Sequence, residues 1–175
     1  MDQQTFFAVM SAFPTGVAIV TTSTTARVPA GLTTNALCSI SADPPLLSLC
    51  IGLSSRTLPA LRARKRFIVH FMADRHDAIC HAFAGKGDDK FAEVPWRWTE
   101  SGLPLLCEGV IAWLECSVAQ ESVVGDHVVL IGRAEIGQPP REDSYPIVYF
   151  RRKYRNWSPD RVGPLPGHPE RSTVR

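Results

Sequence analysis

The stretch GLTTNALCSISADPPLLSLCIGLSSRT, residues 31–57, governs how the rest of the chain is interpreted. Asp43-Pro44-Pro45 predicts a tight turn, since proline fixes φ and donates no backbone hydrogen bond. The apolar run 46–51 after this turn predicts a strand buried on both faces. The part before the turn predicts a strand that carries small hydroxyl and amide side chains where a core strand would carry Val and Ile: Thr33, Thr34, Asn35, Ser39 and Ser41.

A candidate anion site follows the second strand. Ser54, Ser55, Arg56 and Thr57 come directly before a predicted helix. Hydroxyls, free backbone N–H groups and a guanidinium at a helix N-terminus can hold a phosphate. A small-polar strand beside such a cluster would suit a nucleotide-like cofactor laid along a sheet edge. The same residues also fit a Ser/Thr-rich strand with an ordinary helix cap, and spacing alone does not choose between the two interpretations.

Length and composition predict one domain with a full core, since 45% of the 175 residues are hydrophobic. A net charge of +2 favours neither nucleic acid nor membrane as a partner. The chain contains no apolar run long enough to span a bilayer, and its first residues lack the basic start of a signal peptide. The five cysteines are scattered and never form a Cys-x-x-Cys pair. We therefore expect a cytoplasmic protein with reduced thiols and no structural metal.

Strand-like segments outnumber helical ones. A chain of this length that is rich in strands usually closes into a barrel, so the predicted fold class is mainly β with a few helices. Residues 158–175 contain four prolines and little apolar surface, which predicts a disordered tail after one domain, residues 1–157. About six strands are predicted, including segments 16–22, 66–72, 110–118, 128–136 and 146–150, with helices over 2–13, near 60 and over 74–84.

Familiar catalytic motifs do not occur in the chain, which has no Gly-x-Gly-x-x-Gly, Walker loop, His-Glu-x-x-His or nucleophile elbow. Two further polar clusters are Lys90-Phe91, after a glycine-rich loop, and Gly125-Asp126-His127, between two predicted strands. Each has an ordinary interpretation as well. The first fits a solvated charge beside a core aromatic, and the second fits a hairpin turn with an exposed histidine.

Taken in order, these clusters resemble the flavin reductase family of FMN-binding split barrels. The resemblance runs from about Phe6 to Arg155, and the ordered set is far more specific than any one motif. The segments that carry it are PTGVAIVTT (14–22), GLTTNALCSISADPPLLSLCI (31–51), SSRT (54–57), DKFA (89–92), GDH (125–127) and YFRRKYR (149–155).

The resemblance implies a split β-barrel homodimer that reduces FMN or FAD with NADH or NADPH, NADH being favoured. It also implies a partner, a flavin-dependent monooxygenase that receives the reduced flavin by diffusion. His127 is implied as the catalytic residue facing the pyridine nucleotide, together with Tyr149, Arg151 and Tyr154. The implied flavin-binding residues are Thr15, Thr33, Thr34, Asn35, Ala36, Ser39, Ser41, Ser54, Ser55, Arg56, Thr57, Lys90 and Phe91.

Such chemistry would explain the missing acid–base motifs, because hydride transfer between the two cofactors needs mainly orientation from the protein. Two positions depart from the family pattern: Phe150, where relatives often have His, and Arg152, where they often have Gly. Two alternatives remain, a flavin-binding module without turnover and an enzyme of the pyridoxine-phosphate oxidase type on the same fold. The GDH turn and segment 149–155 count against the first, and the order of the motifs counts against the second.

Overall fold

The computed structural model describes residues 1–87, 89–92, 94–140 and 144–157, so the predicted tail 158–175 lies outside the described residues. The described residues form three helices and twelve strands. The helices are α1 (Gln3–Met10), α2 (Leu58–Arg64) and α3 (Asp77–Ala84). The strands are β1 (Thr15–Gly16), β2 (Ala18–Ser23), β3 (Pro29–Thr34), β4 (Leu37–Ala42), β5 (Pro45–Gly52), β6 (Arg66–Met72), β7 (Trp96–Trp98), β8 (Pro104–Leu106), β9 (Val110–Val124), β10 (His127–Gln138), β11 (Ile147–Phe150) and β12 (Lys153–Asn156).

Seven strands form one antiparallel sheet in the order β3-β2-β6-β9-β10-β5-β4. Its edge strands, β3 and β4, are consecutive in the chain and separated only by Asn35 and Ala36. Three Cα-to-Cα steps cover at most about 11 Å, so the two edges must approach each other there and the sheet must curl. The ladder stays open between these edges in the described part of the chain. The prediction of a mainly β, split-barrel fold is confirmed.

The break between β3 and β4 corrects the prediction of one polar strand before the turn. The Ala36 N–H donates to Thr34 Oγ1 at 3.1 Å, and the Ala36 carbonyl accepts from the Cys50 N–H at 2.9 Å. A side-chain hydroxyl therefore replaces a strand partner, and the chain crosses from one sheet edge to the other. Thr33 and Thr34 lie at the end of β3, whereas Ser39 and Ser41 lie on β4.

Other predictions change in detail. β5 alternates instead of being buried on both faces, with Leu47, Leu49 and Ile51 buried and their neighbours half-buried. α3 begins three residues later than predicted, with His76 at its N-cap position. There are twice as many strands as predicted, because short hairpins such as β7–β8 lack a periodic signal long enough to recognise.

Two apolar clusters pack on opposite sides of β2. One fills the barrel and includes Val20, Phe67 and Leu130; the other lies under α3 and includes Ile19 and Phe83. Gly31 on β3 lies against this second cluster, since an added Cβ would lie 2.7 Å from Phe83 Cε1. Glycine at position 31 is therefore required for close packing between β3 and α3.

His70 on β6 is completely buried in the sheet. Its Nδ1 lies 3.0 Å from the Ile19 carbonyl, and its Nε2 accepts from the Leu106 N–H at 3.1 Å. A backbone N–H can only donate, so the single ring proton is on Nδ1. The neutral imidazole thus joins β2 and β6 to β8, and burial lowers the pKa of His70 to about 4.

Candidate functional site

A cleft of about 530 Å³ opens where the chain crosses from β3 to β4, and we call it the main cleft. The C-terminal end of β5, the segment before α2 and the end of α3 form its other walls. Ten of the predicted site residues line it: Thr33, Thr34, Asn35, Ala36, Ser54, Ser55, Arg56, Thr57, Lys90 and His127.

Two cations stand on one side of the main cleft. Arg56 Nη2 donates to the Gly87 carbonyl at 3.0 Å. Lys90 Nζ donates to the carbonyls of Gly31 and Phe83 at 3.1 and 2.8 Å, which uses two of its three ammonium hydrogens. Partial burial, and next the charge of Arg56, lower the pKa of Lys90. Two positive charges that interact with each other favour the binding of an anion between them.

The hydroxyls near these cations have different roles. Thr57 is buried, and its Oγ1 donates to the Gly31 carbonyl at 2.9 Å, so this side chain joins α2 to β3. Ser55 Oγ accepts from the Thr57 N–H at 3.3 Å. Ser54 is exposed in the cleft wall. The predicted cluster is therefore partly scaffold and partly cleft surface.

His127 also lines the main cleft, near Ser54, at the first residue of β10. The turn before it contains Gly125 at φ +58°, a conformation that suits glycine in a two-residue hairpin. His127 Nδ1 lies 2.7 Å from Asp126 Oδ1, and this hydrogen bond lowers the pKa of Asp126. His127 pairs with Gly52 of β5, where an added Cβ would lie 3.9 Å from the ring Nε2. The ring is thus held at one nitrogen, and the absence of a side chain at position 52 leaves room beside the other.

A second cavity of about 180 Å³, which we call the tyrosine groove, adjoins the main cleft through their shared lining of Thr33, Thr34 and Asn35. Tyr149 and Tyr154, both predicted to face the pyridine nucleotide, line this groove with ring centroids 5.4 Å apart. Burial is the main cause that raises the pKa of Tyr154 to about 12. The Tyr154 hydroxyl therefore stays neutral, and both rings present apolar faces next to the cleft.

Five predicted site residues do not line either cavity. Phe91 is buried between Phe83 and Trp96, at centroid distances of 4.9 and 5.4 Å. Thr15 lies on β1, and its Oγ1 accepts a hydrogen bond from Asn35 Nδ2 at 3.1 Å. Ser39 and Ser41 lie on β4, and Arg151 lies at the exposed tip of the β11–β12 hairpin. Their predicted contacts with cofactors stay predictions.

Sequence reasoning missed several residues of the main cleft. Lys86 adds a third cation, and its position between Gly85 and Gly87, just past α3, is the signal that could have found it. Cys50 and Phe83 line the cleft as well, although the apolar residues around each of them in the sequence indicate only a core position. Among the described residues, no group of three or more His, Cys, Asp or Glu side chains could hold a metal ion. At eight residues or fewer, the described helices are too short to cross a membrane.

The donor set fits a phosphate-bearing ring compound. Small polar side chains along one wall leave room for a flat ring, and three cations stand where a phosphate can be bound. An open antiparallel barrel with such a cleft defines a nucleotide-binding split barrel.

Comparison with known proteins gives the family. The flavin reductase like domain matches residues 10–158, so the chain belongs to the flavin reductase family. It is 40% identical over 158 residues to a flavin reductase (NADH) of Kitasatospora aureofaciens, covering 90% of this chain and 83% of that protein. It is 37% identical over 154 residues to a flavin reductase (NADPH) of Lentzea aerocolonigenes, covering 87% and 89%. The crystal structure of nitrilotriacetate monooxygenase component B from Mycobacterium thermoresistibile superimposes with a TM-score of 0.86 at 30% identity, covering 97% and 94%.

The protein is thus an NAD(P)H-dependent flavin reductase, as the motif order predicted. This identification explains why the sequence has no nucleophile motif, since the reaction requires two ring systems to be held against each other.

Proposed function

We propose that this flavin reductase is the reductase component of a two-component flavin-dependent monooxygenase. It would reduce FMN or FAD with a nicotinamide donor and release the reduced flavin to its partner in the cytoplasm. The observation that carries the proposal is that one cleft presents two cations, Arg56 and Lys90, together with an oriented imidazole, His127. A protein that only binds flavin would need the cations and not the imidazole.

The two cations are assigned to the flavin phosphate. Arg56 and Lys90 supply the charge, and Ser54 and Ser55 supply hydroxyls in the same cleft. The end of β3, with Thr33 to Ala36, is assigned to the ring and the ribityl chain, because small polar side chains allow close approach and can hydrogen-bond to ring heteroatoms.

The part of the cleft around His127 is assigned to the donor. When bound, the flavin supplies the hydride acceptor, and the protein contributes the relative placement of the two rings. His127 would hold the pyridine nucleotide through its Nε2, while Asp126 fixes the ring through Nδ1. Tyr149 and Tyr154 would supply apolar ring surface beside it.

Steady-state oxidation of NADH and NADPH, with and without added FMN or FAD, tests this function. We expect oxidation that depends on added flavin and saturates with it, as for a flavin used as a substrate. A rate independent of added flavin would indicate a tightly held prosthetic group and contradict release to a partner. No oxidation of either donor would leave only a binding module.

Arg56→Ala should weaken FMN binding about tenfold, because a charge-assisted contact with phosphate contributes about 1.5–3 kcal/mol. Affinity for riboflavin, which has no phosphate, should not change. Fluorescence quenching of each flavin measures both affinities. Arg62→Ala is the matched control, since Arg62 lies on α2 and pairs with Glu121 at 2.6 Å, away from the cleft. Equal weakening of FMN and riboflavin would mean that Arg56 supports the fold rather than the phosphate.

We also propose a homodimer, because α1 packs none of its side chains into the core. Phe6 and Met10 are 51% and 48% exposed, and Phe13 just after the helix is 65% exposed. A second copy covering this surface would remove it from water, which is the usual solution for an apolar face of this kind.

Light scattering should therefore give twice the chain mass of 19.3 kDa at micromolar concentration. The double variant Phe6→Asp/Met10→Asp should reduce that mass to a monomer's. Val28→Asp, at an exposed position in the β2–β3 loop, should leave it unchanged. A wild-type monomer at that concentration would contradict the proposal.

A further inference from the structure

The tip of the β11–β12 hairpin has an unusual composition for its geometry. Phe150 pairs with Lys153, so the turn consists of Arg151 and Arg152 alone. Both have positive φ, 48° and 59°, in a turn where Asn-Gly is preferred. Left-handed backbone is unfavourable for a residue with a side chain. Two arginines at these positions oppose the local preference of the backbone, and such conformations concentrate at functional positions.

The tip is held in place by contacts on both of its residues. The Arg151 N–H donates to the Ser11 carbonyl at 2.9 Å, just past the end of α1. The guanidinium of Arg151 lies 5.2 Å from the centroid of the Phe150 ring, and that of Arg152 lies 5.8 Å from the centroid of Phe7. Stacking on aromatic rings fixes the guanidinium planes while their N–H groups remain available at an exposed surface.

The charge around the tip is of one sign. Residues 144–157 contain four cationic side chains and no carboxylate: Arg151, Arg152, Lys153 and Arg155. An ordinary solvated hairpin would mix both signs, as the α2 surface does where Arg62 and Lys65 meet Glu121. The local potential at the tip therefore favours a multiply charged anion.

The tip also adjoins the site. Arg152 lines a groove of about 530 Å³ together with Tyr149, Asn35 and Ala36. Phe6 and Met10 line it as well, so this groove would lie at the interface of the proposed homodimer. Asn35 and Ala36 line the main cleft as well, and Tyr149 lines the tyrosine groove. A long ligand that extends from the main cleft past Asn35 and Ala36 thus comes to Arg152, the neighbour of Arg151 in the turn. The flavin phosphate has a separate set of cations, Arg56, Lys86 and Lys90, on the wall of the main cleft.

We propose that Arg151 and Arg152 bind the 2′-phosphate of NADPH and so decide the choice of electron donor. The inference rests on the proposed assignment of the pyridine nucleotide to this side of the site. A phosphomonoester carries about −1.5 to −2 charge at neutral pH and three acceptor oxygens, which suits two forked guanidiniums. Arginine commonly accommodates this group where proteins accept NADP, and NADH has no such group to bind. On this inference NADPH should be used at least as well as NADH, the donor favoured by the resemblance.

Arg152→Gly tests the assignment without disturbing the turn, because glycine adopts φ 59° freely. We expect the KM for NADPH to rise about tenfold and the KM for NADH to stay within about twofold. Arg152→Lys should recover part of the loss, since it restores charge but not the forked geometry. Arg155→Ala, which removes an exposed cation on β12, should change neither KM.

Binding of adenosine 2′,5′-bisphosphate, measured by calorimetry without any turnover, provides an independent readout. Arg152→Gly should weaken it about tenfold and leave 5′-AMP unchanged. If the KM values for NADPH and NADH rise equally, or if neither rises, the tip does not select the donor. That result is distinct from failure of the proposed function, in which the wild-type protein would oxidise neither donor.

Discussion

Replacing His127 with alanine is expected to slow the reduction of bound flavin by NADH about a hundredfold, while the melting temperature and flavin affinity remain those of the wild type. Poor placement of reacting atoms can cost a factor of this size without loss of binding elsewhere. His127 is exposed at the start of β10 and is oriented by a 2.7 Å contact with Asp126, so its loss removes a positioning contact and no core packing.

Anaerobic stopped-flow absorbance of the oxidised flavin measures this rate. Reduction by dithionite, which needs no nicotinamide site, should be unaffected by the substitution. His76→Ala is the matched control, because His76 bonds within its own loop to the Asp74 carbonyl at 2.8 Å and lines neither cavity. An unchanged hydride-transfer rate and NADH affinity in His127→Ala would make His127 an ordinary turn residue.

The second large effect concerns acid stability, and His70 is its source. The pKa of His70 is about 4 in the folded protein, against 6.5 for an ordinary histidine, because the buried ring is desolvated. Between these values the unfolded chain binds a proton that the folded chain does not, so the free energy of unfolding falls as the pH falls. A tenfold change in proton affinity is worth about 1.4 kcal/mol, so protonation of His70 should remove about 3 kcal/mol in total. This contribution is fully present above pH 6.5 and is lost by about pH 4.

Urea denaturation at a series of pH values measures the effect. His70→Gln should be less stable at neutral pH, because it loses the bridge between Ile19 and Leu106, but its stability should vary less over this window. His81→Gln, which changes an exposed histidine, should keep the wild-type dependence. A His70→Gln curve parallel to that of the wild type would show that other groups cause the acid sensitivity.

The two predictions differ in how far the sequence could lead to them. His127 follows a Gly-Asp turn signal between two strongly β-branched segments, so both its position at a strand end and its exposure could be predicted. His70 lies within RFIVHFM, which predicts a strand but does not predict which residues contact the imidazole. Its neutral state depends on Ile19 and Leu106, which belong to other strands.

The candidate site shows the same division. Each of its segments carries a local signal: prolines at a turn, hydroxyls before a helix, glycine at a hairpin. One cleft contains Arg56, Lys90 and His127 because particular strands pair with each other. That pairing depends on contacts between residues far apart in the chain. The resemblance to the flavin reductase family predicted that these residues share a site, whereas periodicity alone could not predict it.

From the sequence alone we could predict the fold class, the approximate positions of the helices and longer strands, and the segments that carry the cofactor motifs, because strand alternation and turn chemistry are local properties. Only the tertiary structure decided that the polar strand breaks at Asn35 and Ala36, that Phe91 supports the core rather than lining the cleft, and that Arg152 lies beside the tyrosines. Each of these outcomes depends on how a curled sheet brings its two edges together. That closure buries apolar surface from distant strands at once, so no single stretch of the chain encodes it.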